Sequence, residues 1–185
     1  MLTVIDQGGF KAQKEYLDTL HIQSKQTITL ILSENGHIIE IDKLRFQLNY
    51  RDQEYQRMLP DVSHTLYKAI GIQKGSVLDA CGGLGKDGLL MAHKGFQVST
   101  CESNPILYTL LSQAIDQYLK QAPLNWQHYH TPCQKLMQKK FDIVYLDPMF
   151  QVSRSAKPQK SMQVIQHLAS DTPFLDWALA LECAQ

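Results

Sequence analysis

Thr27 to Leu32 (TITLIL) and His37 to Ile41 (HIIEI) are runs of β-branched and apolar residues separated by Glu34-Asn35-Gly36. Asn-Gly supplies the positive φ angles of a tight hairpin, so the two runs are predicted to pair as strands. A third alternating run, Leu44-Arg45-Phe46-Gln47-Leu48, completes a small antiparallel sheet. Residues 1–59 therefore read as an N-terminal β-rich appendage. After Pro60, the apolar residues Val62, Leu66, Ala69 and Ile70 recur at helical spacing, with Gly71 as the stop.

From there the pattern alternates. Strands are predicted over Ser76 to Ala80, Gln97 to Cys101, Trp126 to His130 and Asp142 to Leu146, with helices over Lys86 to Lys94 and Pro105 to Lys120. Strands separated by helices form parallel βαβ units, so residues 60–185 read as one α/β domain with a Rossmann-like sheet. Lys160 to Cys183 is helical around Met162, Ile165 and Leu168, then around Phe174, Trp177 and Leu181, with Pro173 opening the second segment. No strand pattern follows, so the sheet is expected to be short on that side, with an edge left open.

Composition narrows the class. The chain has 185 residues, 44% hydrophobic and 19% charged, which suits one ordinary domain with a buried core and excludes disorder as the main state. Lys+Arg and Asp+Glu balance at 18 each, which excludes a protein that holds nucleic acid by bulk charge; any such role must use a local patch. No apolar run approaches the roughly 20 residues of a membrane span. The first ten residues carry Asp6 and two glycines where a signal peptide has a basic start. A soluble, cytoplasmic protein is expected. Cys81, Cys101, Cys133 and Cys183 form no Cys-x-x-Cys pair, so they are expected to be reduced and mostly buried rather than a zinc or dithiol site.

The chemistry concentrates in two places. Val77-Leu78-Asp79-Ala80-Cys81-Gly82-Gly83-Leu84-Gly85 is a strand running into a glycine-rich turn before a helix, and glycines there let backbone approach a ligand closely. Glu102, about 20 residues on at the end of the next strand, is placed to accept hydrogen bonds from the two hydroxyls of a ribose. An adenosine-containing ligand follows. Gly83-Leu84-Gly85-Lys86-Asp87-Gly88 also satisfies the G-x-G-x-x-G pattern of NAD-dependent oxidoreductases. Asp79 argues against that alternative, because it adds negative charge where a pyrophosphate would sit at a helix N-terminus. S-adenosylmethionine, with an amino group and a sulfonium, suits an acidic site better, and V-L-D-x-x-x-G-x-G resembles the first motif of class I methyltransferases.

The second place is Ile143-Val144-Tyr145-Leu146-Asp147-Pro148-Met149-Phe150, a strand that delivers Asp-Pro-x-aromatic at its carboxyl end. It resembles the (Asp/Asn)-Pro-Pro-(Tyr/Phe) motif of methyltransferases that modify exocyclic amines of nucleobases. Such an amine is a poor nucleophile because its lone pair is delocalised into the ring. Asp147 and the Pro148 carbonyl are the candidate acceptors of its N–H groups, with Phe150 stacked on the base. His128 and His130 alternate on one strand without an evident third ligand, so no metal is expected.

LDACGGLGKDGLLMAHKGFQVSTCESNP, VYLDPMF and KSMQVIQHLASDTPFLDWALALE together resemble the RsmJ-type small-subunit (16S) ribosomal RNA guanine-N2 methyltransferases, from Ile70 to the end of the chain. The resemblance implies a class I methyltransferase fold and S-adenosylmethionine as cofactor. Asp79, Gly83, Gly85 and Asp87 would line its methionine part and Glu102 its ribose. Thr131 to Cys133 would lie near the adenine, and Asp147 would stand between cofactor and target. Arg154, Lys157 and Lys160, with Lys135, Lys139 and Lys140, rim the motif as candidate contacts to RNA phosphates, ribosomal RNA or the small subunit being the partner. Two departures stand out. Leu48-Asn49-Tyr50-Arg51-Asp52-Gln53 replaces a basic, glycine-rich family segment, and the family continues past the position of Gln185 into a strand bearing Lys-Arg-Pro. A non-catalytic, shortened paralogue that binds only cofactor or RNA is the third reading.

Overall fold

The structure, a computed structural model, describes residues 1–20, 26–59, 65–71, 74–147, 159–168 and 177–184. It contains two four-stranded sheets. The first has the order β1-β2-β3-β4, from strands Leu2–Asp6, Ile28–Leu32, Ile38–Ile41 and Leu44–Gln47. The three predicted strands are present and antiparallel, but β1 was not foreseen, and it pairs with β2 in parallel. The crossover between them carries helix α1, Lys11–Asp18. Both escaped the pattern for a physical reason: β1 is five residues long, and α1 buries only Leu17, so neither has a readable apolar stripe.

The Asn35-Gly36 turn is real but wider than a two-residue hairpin. Gly36 has φ +118°, Asn35 does not share a positive φ, and residues 33–37 separate the strands. The loop is closed from inside by the Ser33 N–H donating to His37 Nδ1 at 3.1 Å. It is held from outside by the Gln113 amide, which bonds the Ser33 carbonyl and the His37 N–H, and by the Gln117 amide, which donates to the Glu34 carbonyl at 2.6 Å. Burial lowers His37 to about 4, so it is a neutral acceptor in this loop.

Short helices α2 (Gln53–Gln56) and α3 (Thr65–Ile70) lead to the second sheet. Its strands are β5 (Ser76–Asp79), β6 (Gln97–Glu102), β7 (Trp126–His130) and β8 (Ile143–Tyr145). All are parallel, in the order β7-β6-β5-β8, as the alternating pattern required. Helices α4 (Lys86–His93), α5 (Pro105–Leu119) and the four-residue α6 (Cys133–Leu136) connect them in turn. α5 starts where Asn104 Oδ1 accepts from the N–H groups of Ile106 and Leu107 and Pro105 fills the first helical position, which loses no bond there. Its buried stripe of Ile106, Leu107, Leu110, Leu111, Ala114 and Ile115 joins Val77 of the parallel sheet, Leu89 and Leu90 of α4, and Leu30, Ile39 and Ile41 of the first sheet in one continuous core.

The C-terminal helical stretch is observed as α7 (Lys160–Leu168) and α8 (Trp177–Cys183). Pro173 and Phe174, at the predicted break, lie outside the described residues. α7 buries Val164 and Leu168 and is pinned by Asn104 Nδ2 donating to the Leu168 carbonyl at 2.9 Å. After α8, Ala184 forms a parallel bridge with Phe141, so the chain returns to the free side of β8. Cys101 and Cys183 are buried, Cys81 and Cys133 half-buried, and all four are free thiols. Among the described residues no helix is long and apolar enough to cross a membrane.

Candidate functional site

The chain leaves β5 toward β6 and β7, then crosses back to β8 on the other side of β5. In an open parallel sheet that reversal opens a crevice at the carboxyl ends of the strands. Asp79 ends β5, Glu102 ends β6, Thr131 follows β7 and Asp147 lies two residues beyond β8. Register aligns Asp79 with Tyr145 and Glu102 with His130, so the topology brings Asp79, Glu102, Thr131 and Asp147 to one edge.

The glycine turn fits against this edge closely. The Gly82 N–H donates to the Cys101 carbonyl at 2.9 Å, and a Cβ on Gly82 would stand 2.9 Å from that oxygen and against the Thr100 methyl. Any side chain at Gly82 would lift the turn off β6. The Gly83 N–H donates to Glu102 Oε2 at 2.8 Å. Gly85 begins α4 in the left-handed region, and its Cα faces the core: a Cβ there would meet the Tyr50 hydroxyl and come within 2.6 Å of Leu111 Cδ1. The structure thus gives Gly85 a packing reason, whereas Gly83 has open space around it, its nearest neighbours at 3.9 Å.

Three carboxylates share the site. Asp79 is only 2% exposed, and burial, reinforced by the negative charge of Asp87, pushes it up to about 7. The Thr100 hydroxyl opposes this by donating to Asp79 Oδ2 at 3.1 Å, and Thr100 in turn accepts the Trp126 indole N–H at 2.9 Å. Burial also raises Glu102, against the N–H groups of Asn104 (2.6 Å) and Gly83. Asp87 accepts the Tyr145 hydroxyl at 3.1 Å, which ties α4 to β8. Asp147 is exposed, with its backbone against the Cys81 thiol. Burial pushes that thiol up to about 12, so Cys81 is neutral and no nucleophile. Among the described residues no cation is a cause of the shift of Asp79 or Glu102.

The arrangement suits a ligand that brings positive charge and hydroxyl groups. Glu102 has about four acceptor positions, and the N–H groups of Asn104, Gly83 and Ser103 address it, which leaves room for a further hydroxyl donor. A pyrophosphate would find the Gly83 N–H already committed and two further carboxyls beside it. Thr131, expected near an adenine ring, donates its N–H to the Glu102 carbonyl at 3.1 Å and so adjoins Glu102. The raised Asp79 also makes stability depend on pH. Asp79 rises from 3.8 to about 7 on folding, so the native state keeps a proton that the unfolded chain releases. The resulting stability is full below about pH 4 and is lost as pH rises through 7. Urea unfolding at pH 5 and pH 8 is expected to show a smaller loss in Asp79→Asn than in the parent chain; equal losses would refute the shift.

Of the remaining candidates, Pro148, Phe150, Arg154 and Lys157 lie outside the described residues. Lys160 opens α7 and is exposed; five residues on, Ile165 Cδ1 lies 3.9 Å from the Cβ position of Gly83, so α7 flanks the glycine turn. Lys140 is engaged by the Glu182 carbonyl. His128 and His130 hydrogen-bond to Asp116 and to the Ser103 carbonyl, and among the described residues no group of three metal-ligating side chains is assembled. Sequence reasoning missed Thr100, Trp126 and Tyr145. The one available signal was their position on strands of the parallel sheet, where a polar-tipped side chain can reach a neighbouring strand.

The family described as "Putative SAM-dependent methyltransferase", SAM being S-adenosylmethionine, matches residues 3–182. The ribosomal RNA small subunit methyltransferase J of Alcanivorax borkumensis is 37% identical over 138 residues, covering 68% of this chain and 56% of that protein. Its namesake from Acinetobacter baylyi is 26% identical, covering 89% of this chain and 68% of that protein. The chain thus spans about half to two thirds of the length of these relatives. Among solved structures, a SAM-dependent methyltransferase from Neisseria gonorrhoeae shares the fold with a TM-score of 0.62 at 22% identity, covering 81% of this chain and 70% of that one.

Proposed function

This chain belongs to the SAM-dependent methyltransferase family, and on that footing we propose that it transfers a methyl group from S-adenosylmethionine to guanine N2 of small-subunit ribosomal RNA in the cytoplasm. The observation that carries the reading is Asp79, a buried carboxyl beside a glycine turn that no cation among the described residues offsets. A cationic ligand would supply that charge, which is the test by which these residues fit S-adenosylmethionine. The relatives named as ribosomal RNA small subunit methyltransferases support the substrate. The target amine rests on the chemistry of Asp147 and Pro148.

When bound, the cofactor supplies an electrophilic methyl group on its sulfonium. In this reading Asp79 and Asp87 hold the amino group at the glycine turn, and Tyr145 orients Asp87 through its 3.1 Å hydrogen bond. Glu102 receives the ribose hydroxyls, and Thr131 to Cys133 border the adenine. Asp147 and the Pro148 carbonyl accept the two N–H groups of the guanine amine and favour its pyramidal form, with Phe150 on the base face. Arg154, Lys157 and Lys160 meet RNA phosphates, Lys160 from the start of α7. Positioning supplies most of the acceleration in such a displacement.

Calorimetric titration of the chain with S-adenosylmethionine, S-adenosylhomocysteine and NAD tests this directly. Binding of the first two and not NAD is expected, with S-adenosylmethionine bound more tightly at pH 8 than at pH 6, because the cation favours ionised Asp79. Methyl transfer to small subunits and to free ribosomal RNA then reads the activity. Binding of NAD alone would overturn the reading, and cofactor binding without transfer to either RNA would leave a binding module.

A further inference from the structure

A row of rings crosses the outer side of the ligand edge and has no part in the transfer proposed above. Tyr16 of α1, 47% exposed, meets His130 edge-on at 6.0 Å and 75°. His130, exposed at the end of β7, stacks on Tyr108 of α5 with centroids 4.9 Å apart and planes 16° from parallel. Tyr108 then tilts against His128 at 5.7 Å. His128 and His130 share a face of β7 by two-residue alternation, which is why one tyrosine reaches both.

Hydrogen bonds fix the inner end of the row. The Tyr108 hydroxyl lies 3.2 Å from His128 Nδ1, and His128 Nε2 lies 3.1 Å from Asp116 Oδ1. His130 Nε2 reaches the Ser103 carbonyl at 3.3 Å. Rings that serve only to fill a core sit inside it; here Tyr16 and His130 stay at the surface although their partners already hold them in place. Their position is specific as well. His130 pairs in register with Glu102, so its backbone lies one strand spacing, about 4.8 Å, from that of the residue assigned to the ribose.

Pre-ordered, exposed rings are surfaces on which unpaired nucleobases stack, and such stacking tolerates any sequence because every base has a π face. We propose that Tyr16, His130 and Tyr108 form a stacking platform for a single-stranded RNA nucleotide some positions away from the target base, since β7 stands three strand spacings, about 14 Å, from β8. The proposal rests on RNA being the substrate. The row contains no lysine or arginine, and the exposed Asp116 at its far end repels phosphate, so the base rather than the backbone faces the rings.

Anisotropy of a labelled single-stranded oligoribonucleotide, titrated with the full chain, tests the platform. Tyr16→Ala and His130→Ala are each expected to weaken binding about tenfold. Tyr16→Phe and His130→Phe keep a ring and are expected to bind like the parent. The salt dependence should keep its slope in all four, since no phosphate contact is removed. In Tyr16→Trp, the added indole emission should be quenched by single-stranded RNA and unaffected by duplex RNA of the same sequence. Unchanged affinity in both alanine variants, or equal losses in the phenylalanine variants, would overturn the platform while leaving RNA as substrate. Failure of the parent chain to bind the oligonucleotide at all would overturn the platform, while methyl transfer to small subunits tests the substrate separately.

Discussion

Replacing Asp147 by alanine is expected to lower methyl transfer to small-subunit RNA by at least about a hundredfold while leaving S-adenosylmethionine affinity within a few fold. The amine of guanine must lose conjugation with its ring before its lone pair can attack, and an acceptor aimed at its N–H groups stabilises that state more than the flat ground state. Removing one pre-positioned group of this kind typically costs about 10² to 10³ in rate. Asp147 is exposed and makes no ion pair among the described residues, so the substitution leaves no buried group unpaired and the fold should tolerate it.

Glu102→Ala should show the opposite split. Its carboxylate holds the N–H groups of Gly83 and Asn104, so its loss loosens the glycine turn and removes the ribose acceptor together. Cofactor affinity falls first, and at saturating cofactor much of the rate returns. Labelled-methyl transfer combined with calorimetry on both variants separates the two effects. Normal transfer by Asp147→Ala would show that the Asp-Pro motif is an ordinary strand ending and that the target amine is held elsewhere.

The parallel sheet was legible because short strand-like runs alternate with helical ones, β5 being apolar and followed by glycines and α5 burying a regular stripe after Pro105. The site was legible because a sheet of this kind puts the end of every strand on one edge, so Asp79, Glu102 and Asp147 had to converge once the strands were placed. What stayed hidden depends on contacts between distant segments. Nothing in the pattern around Leu17 announces a helix, because α1 is held by the first sheet rather than by a stripe of its own. Nothing around Thr100 announces that it carries Trp126 on one side and Asp79 on the other, since that relay joins three strands. The Asn-Gly turn was legible as a turn but not in its width, which the Gln113 and Gln117 side chains of α5 set from about 80 residues away.

Gly85→Ala should be the most damaging small substitution in the glycine turn, and Gly83→Ala a mild one. The G-x-G spacing alone treats the two residues alike. Both have positive φ, +52° at Gly83 and +69° at Gly85, and an L-residue there costs about 1 to 2 kcal/mol. At Gly83 that is nearly all, because the nearest atoms to an added Cβ are ordinary contacts at 3.9 Å. At Gly85 the new carbon would press on the Tyr50 hydroxyl, Leu111 Cδ1 at 2.6 Å and Trp126 Cζ2 at 3.2 Å. Tyr50 cannot retreat: its ring is fully buried among Tyr55, Tyr118 and Trp126, and its hydroxyl donates to the Leu84 carbonyl at 2.9 Å. Overpacking of this kind adds about 1 to 3 kcal/mol. The total of about 2 to 5 kcal/mol is a large part of a domain's usual 5 to 15 and should lower the melting temperature by about 5 to 15 °C. Because Tyr50 lies in the N-terminal segment and Leu111 on α5, the strain would be felt by both sheets at once, so the transition should stay single while it moves. Gly83→Ala, by contrast, should melt within a few degrees of the parent and lose cofactor affinity instead. If Gly85→Ala melts with the parent chain, then Gly85 is not the packing contact between the first sheet and the ligand turn, and both glycines serve the ligand.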